Sequence, residues 1–158
     1  SVALFHSTHA NLTGTGTAIA VTSLGVARTM MRKQKTIKNV VMNLRPRYLI
    51  VPAALETIAA QYVSANYVAN QSSTINPFAG AFEVISEARL DDNSATAWYL
   101  AADPSMIDTI EYCYLEGQNG VYIETRQGFD VDGMEIKARL DFAAKAIDYR
   151  GLYKNVGA

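Results

Sequence analysis

The sequence predicts an α+β fold with two main helices and a mostly antiparallel sheet. Three observations predict it. Apolar residues recur at helical spacing in the first half of the chain and alternate in the second half. The two patterns follow one another without interleaving, which argues against a doubly wound parallel sheet. Finally, one alternating run near the C-terminal end, residues 134–146, is far longer than an ordinary strand of ~5–6 residues.

Residues 1–6 read as a short apolar strand, and residues 7–16 as a polar Gly/Thr-rich loop. Thr15 or Thr17 can cap the helix that follows, because a hydroxyl satisfies a free backbone N–H at that end. That helix is expected over about 18–33, with Ile19, Ala20, Leu24, Ala27, Met30 and Met31 on one face. Gly25 in its middle suggests close packing. Tyr48 to Val51 form a compact apolar run suited to a buried strand. Pro52 suits the first turn of a second helix, lined by Leu55, Ile58, Tyr62 and Val63 and fraying near Asn70. Residues 71–80 read as a loop punctuated by Pro77 and Gly80.

Strands are then expected over 82–87, 97–101 and 109–115, with turns over 91–94 and 117–120. Asp132-Gly133 reads as a two-residue hairpin turn, which wants positive φ at both positions. After it, Met134, Ile136, Ala138, Leu140, Phe142, Ala144 and Ala146 point one way, and Glu135, Lys137, Arg139, Asp141 and Lys145 the other. Such a strand is either the spine of an elongated domain or an arm laid across a neighbour. The expected organisation is one α+β domain over residues 1–158, and a start without Met reads as a piece of a longer chain.

Composition excludes several classes. In 158 residues, 49% are hydrophobic and 18% charged, so disorder is not the main state. A net charge of -1 supplies no global drive toward nucleic acid. The nearest basic patch, Arg28, Arg32, Lys33, Lys35 and Lys38, reads as a solvated helix end. The single Cys113, set in an alternating apolar run, reads as a buried inert thiol and rules out an internal disulfide. The start lacks the basic segment of a signal peptide, and no apolar run approaches the ~20 residues of a membrane helix.

No catalytic, cofactor or metal residue is assigned. His6, Ser7 and His9 are the only histidine-containing cluster, and they carry the alternative reading of a hydrolase. Two imidazoles do not complete a zinc site, and the spacing lacks the Glu of a zinc-protease helix. Gly14-Thr15-Gly16 is followed by Ile19 where a dinucleotide fingerprint needs Gly. Asp130-Val131-Asp132-Gly133 starts like a calcium loop but runs into a regular strand. The nine tyrosines and one Trp sit mostly in strands and are expected in the core.

Three stretches together resemble a known family. They are Leu4-Phe5-His6-Ser7-Thr8-His9-Ala10-Asn11-Leu12; Arg45-Pro46-Arg47-Tyr48-Leu49-Ile50-Val51-Pro52; and Glu124 through Gly133, continuing to Tyr149-Arg150-Gly151-Leu152-Tyr153-Lys154-Asn155. They are similar to the C-terminal part of major capsid (head) proteins of Mu-like prophages, often fused to a Clp-type prohead protease. The resemblance implies the Hong Kong 97-type capsid fold, an axial domain plus part of the peripheral domain. It implies a structural protein of the phage head, made in the bacterial cytoplasm. Its partners would be copies of itself in rings and a closed shell, a prohead protease, and packaged DNA only indirectly. It implies no cofactor and no membrane. The family's N-terminal arm, extended loop and spine helix are expected outside this sequence, which leaves the isolated chain monomeric or weakly associated. A tail-assembly module of the same phage system is a further alternative.

Overall fold

The computed structural model describes residues 2–65, 76–128 and 132–158. Its elements in chain order are β1 (Leu12–Thr13), α1 (Val21–Arg32), β2 (Pro46–Val51), α2 (Glu56–Val63), β3 (Glu83–Ser86), β4 (Trp98–Ala102), β5 (Ile110–Tyr114), β6 (Tyr122–Gln127), β7 (Met134–Arg139), β8 (Phe142–Ala146) and β9 (Leu152–Asn155). Single 3-10 turns stand at Ser7–His9, Ala53–Leu55 and Ala88–Leu90. The expected fraying near Asn70 and most of the loop after it lie outside the described residues. The chain divides into two compact units, Ser1–Thr109 with Asp148–Ala158, and Ile110–Ile147.

The first unit is built on a five-stranded sheet in the order β1-β9-β4-β2-β3. It is mixed and not mostly antiparallel: β1 runs parallel to β9 and β2 parallel to β3, while β2–β4 and β4–β9 are antiparallel. The β2–α2–β3 segment is a crossover, the connection a parallel pair requires. In register across four strands, Val84, Leu49, Leu100 and Tyr153 form one row. The buried cluster gathers this row with Trp98, Val51, Leu24, Ala27 and Met31, and with Ala59 of α2. Burying such side chains contributes about 1.5–3 kcal/mol each before entropy is counted. The α1 residues Leu24, Ala27 and Met31 recur at helical spacing, so periodicity found the packed face correctly.

Local chemistry differs from the expectations at several points. Residues 1–6 form no strand among those described. Phe5 instead lays its ring 5.6 Å from that of Tyr99. Neither Thr15 nor Thr17 caps α1. The cap is Ala20, whose N–H donates to Ser23 Oγ at 2.9 Å. Thr17 serves the sheet: its carbonyl accepts from the buried Trp98 Nε1 at 3.0 Å, and its N–H donates to Asn155 Oδ1 at 2.9 Å. Pro52 precedes the 3-10 turn before α2 and does not sit inside the helix. Ile58 stays exposed while Leu55, Tyr62 and Val63 pack on the core.

Gly25 does not mark close packing, since a Cβ there would meet nothing within 4 Å. Replacing it with Ala is therefore expected to stabilise the fold by about 0.5–1 kcal/mol, read as a higher denaturation midpoint with unchanged denaturant slope.

The β2 and β4 ends are tied by charge. Asp103 Oδ1 accepts from the Ser105 N–H at 2.9 Å, and its Oδ2 accepts from the Arg47 guanidinium at 2.7 Å. The Ser105 bond first, then Arg47, lowers this carboxyl from 3.8 to about 2. The folded value lies below the unfolded one. The contact therefore stabilises above pH 3.8 and fades as pH falls through about 2. In Arg47→Ala, the Asp103 carboxyl followed by NMR is expected to titrate above 2 yet below its ordinary value, because Ser105 still donates.

A candidate assembly surface

The second unit is a single ribbon of two long antiparallel arms. β5 pairs with β8, from Ile110↔Ala146 to Tyr114↔Phe142. β6 pairs with β7, from Tyr122↔Arg139 to Gln127↔Met134. Between the two ladders, residues 115–121 oppose only Leu140 and Asp141. This excess is folded into a bulge by Gly117 at φ +78 and Gly120 at φ +100, conformations that L side chains avoid. Gln118 N–H closes it onto Leu115 O at 2.9 Å, and Arg139 donates to Gln118 Oε1 at 2.7 Å. The expected long strand over 134–146 is thus two strands, broken where the partner changes.

The hairpin end is wider than two residues. Gly128 N–H donates to Gly133 O at 2.9 Å, and Gly133 does not take positive φ. Asp130 lies outside the described residues.

Each ladder has one apolar and one polar face. Ile110, Tyr112 and Tyr114 face the same way as Ala146, Ala144 and Phe142. The rings of Tyr112, Tyr114 and Phe142 lie 5.5–6.1 Å apart. In the other ladder, Ile123, Ile136, Met134 and Ala138 share a face. The opposite face carries the pairs Arg126–Glu135 and Lys137–Glu124, each at 2.6 Å. Exposed pairs of this kind contribute about 0.2–1 kcal/mol each. Lys137 also lowers the Glu124 carboxyl from its ordinary value.

The apolar faces are exposed among the described residues. No described residue from 110 to 147 is buried. Of 21 exposed large hydrophobic side chains among the described residues, 12 lie in this ribbon, so the exposure is a property of this unit and not scatter. The tyrosines expected in the core divide accordingly: Tyr153 is buried, whereas Tyr112, Tyr114 and Tyr122 are exposed. Cys113 is likewise exposed, not buried. It lies with Glu111, Ala143 and Lys145 on the face opposite Ile110, Tyr112 and Tyr114.

The His6, Ser7 and His9 cluster is held by bonds of a structural kind. His6 Nδ1 bonds Thr8 Oγ1 at 2.8 Å, and His9 Nδ1 bonds Leu4 O at 3.2 Å while its ring stacks on Tyr149 at 3.8 Å. Beneath them the buried Asn11 donates to Leu4 O at 2.9 Å and accepts from His6 N–H at 3.1 Å. Among the described residues no hydrogen bond joins Ser7 to an imidazole, and no three His, Cys, Asp or Glu side chains gather to hold a metal. Gly16 is pressed against the Gly157 backbone, leaving no room for a Cβ. That contact explains the glycine without a phosphate.

The described residues thus comprise a sheet with a filled core and a ribbon whose apolar side chains are exposed. A family model described as phage capsid protein matches residues 2–155, and the chain belongs to that family. It is a structural protein of the phage capsid, placed in the virion head. No curated protein matches the chain, and no solved structure does. Among the described residues, no helix is long and apolar enough to cross a membrane.

The ribbon's exposure predicts that folding and assembly respond differently to substitution there. Ile123 and Ile136 are 63% and 69% exposed, so replacing both with Ser is expected to change stability by less than about 0.5 kcal/mol per site. The same double variant is expected to lose assembly, read by light scattering beside a thermal melt.

Proposed function

We propose that this protein is a subunit of the head shell of a tailed phage or Mu-like prophage, built on a Hong Kong 97-type plan and assembling into rings and a closed capsid around DNA. The bare apolar faces of the ribbon carry this reading. A two-stranded ribbon is marginal in water by itself, and covering these faces with a neighbouring subunit supplies the missing burial. The ribbon then acts as the arm laid across a neighbour that the long alternating run over 134–146 allows. Contacts between different patches of identical subunits generate rings when the rotation closes. Many modest contacts in one shell reinforce one another through multivalency, so a single weak interface suffices. A weakly associating isolated chain is consistent with that arithmetic. The shell wall needs no global positive charge, and the chain has a net charge of -1. A prohead protease acting on the shell precursor belongs to the same reading.

Negative-stain electron microscopy of the full-length protein, expressed alone or with its neighbouring protease gene, tests it. Closed, uniform shells are expected. Small particles under every condition would refute the shell reading and favour the tail-module alternative.

A further inference from the structure

We infer that the ribbon of one copy seats on residues 33–42 of the next copy, a contact that rests on the shell-subunit reading above. The first ground is charge. Residues 1–55 hold seven of the 14 Lys and Arg side chains and no Asp or Glu, so residues 56–158 hold seven basic side chains against all 15 acidic ones. The near-neutral total conceals two opposed surfaces. Ribbon residues 110–147 carry seven acidic and four basic side chains. Three of those basic groups are paired within the ribbon, to Glu135, Glu124 and Asp141. Glu111, Glu116 and Asp132 form no ion pair among the described residues.

The second ground is the receiving surface. Past the end of α1 at Arg32, the chain makes a tight hairpin: Met42 N–H donates to Gln34 O at 2.9 Å, Thr36 N–H to Val40 O at 2.8 Å, and Asn39 takes φ 64 at the tip. The buried Gln34 anchors it by donating to His9 O at 2.8 Å, and Arg150 Nε donates to Lys35 O at 2.9 Å. This held hairpin presents Ile37, 93% exposed, with Val40 and Val41, beside an open groove of about 570 Å³ that Met42 and Arg150 help to line. Lys38 lines this groove, Lys33 and Lys35 lie in the same segment of chain, and none of the three forms an ion pair among the described residues. Lys35 and Lys38 belong to this hairpin and not to the helix end.

Both surfaces therefore combine bare aliphatic area with charge, and the charges are opposite. Pairing ribbon to ribbon would set two net-acidic surfaces together. A nucleic-acid strand would want aromatic stacking partners among the lysines, whereas the side chains there are Ile and Val. The contact joins two different patches, so it propagates head to tail.

The test assembles a mixture of isotope-labelled and unlabelled full-length protein, then applies a zero-length carbodiimide cross-linker. Links between label types are expected from Lys33, Lys35 or Lys38 to Glu116 or Asp132. Lys35→Glu with Lys38→Glu is expected to raise the concentration needed for assembly about tenfold or more. Glu116→Lys with Asp132→Lys should do the same, and all four changes together should restore assembly. That rescue separates a lost contact from a misfolded variant. Shells whose links join ribbon to ribbon, or stay within one label type, would overturn the inference while leaving the shell reading intact. So would lysine variants that assemble normally and lose only DNA binding. Wild-type protein that forms no shell at all would overturn the shell reading, and this inference with it.

Discussion

The strands of residues 110–147 bury none of their described side chains, and that exposure is the constraint around which the other features of the molecule are arranged. Backbone pairing in two short ladders, three exposed ion pairs and a trio of aromatic rings hold the ribbon among the described residues. Cross-strand pairs contribute only tenths of a kcal/mol to about 1 kcal/mol each. A monomer that keeps such a surface exposes it to any sheet edge or apolar patch it meets. Its persistence is understandable in a protein whose working state is an assembly.

The first unit supplies the opposite property. Its row of Val84, Leu49, Leu100 and Tyr153 is continuous across four strands, and Trp98 is fully buried with its Nε1–H satisfied. In sequence the ribbon is inserted between β4 and β9, which are neighbours in that sheet. The strand ends at this insertion are secured: Ala102 N–H donates to Gly151 O at 2.8 Å, and the side chains of Ile107 and Thr109 leave no room for a Cβ at Gly151. Mutations in the sheet are thus expected to act on folding, whereas those in the ribbon remove no buried side chain among the described residues.

Much of the first unit was legible in the sequence. Residues 48–51 and 97–101 announce β2 and β4 because both runs are compact and apolar, and the phase of Leu24, Ala27 and Met31 announces the packed face of α1. The β9 strand was missed, since Leu-Tyr-Lys-Asn carries no alternation and owes its burial to neighbours distant in sequence. The ribbon was misread in one respect. Alternation reports that a strand has an apolar face but not what covers it, so Cys113 and three tyrosines were assigned to a core that this unit lacks. The length of the 134–146 run predicts either the spine of an elongated domain or an arm across a neighbour, and the run is two strands. The candidate assembly surface was hidden by averaging, because a net charge of -1 conceals an acid-free stretch of 55 residues followed by an acid-rich remainder.

Amide hydrogen exchange, followed in the unassembled protein and again in assembled particles, tests most directly whether the ribbon is completed by a neighbour. Strand amides of β5 to β8 are predicted to exchange quickly before assembly, while those of β2 and β4 are protected throughout, and to become strongly protected once particles form. Ribbon amides that exchange equally fast in both states would contradict the account, because they would show that the apolar faces remain uncovered in the finished particle.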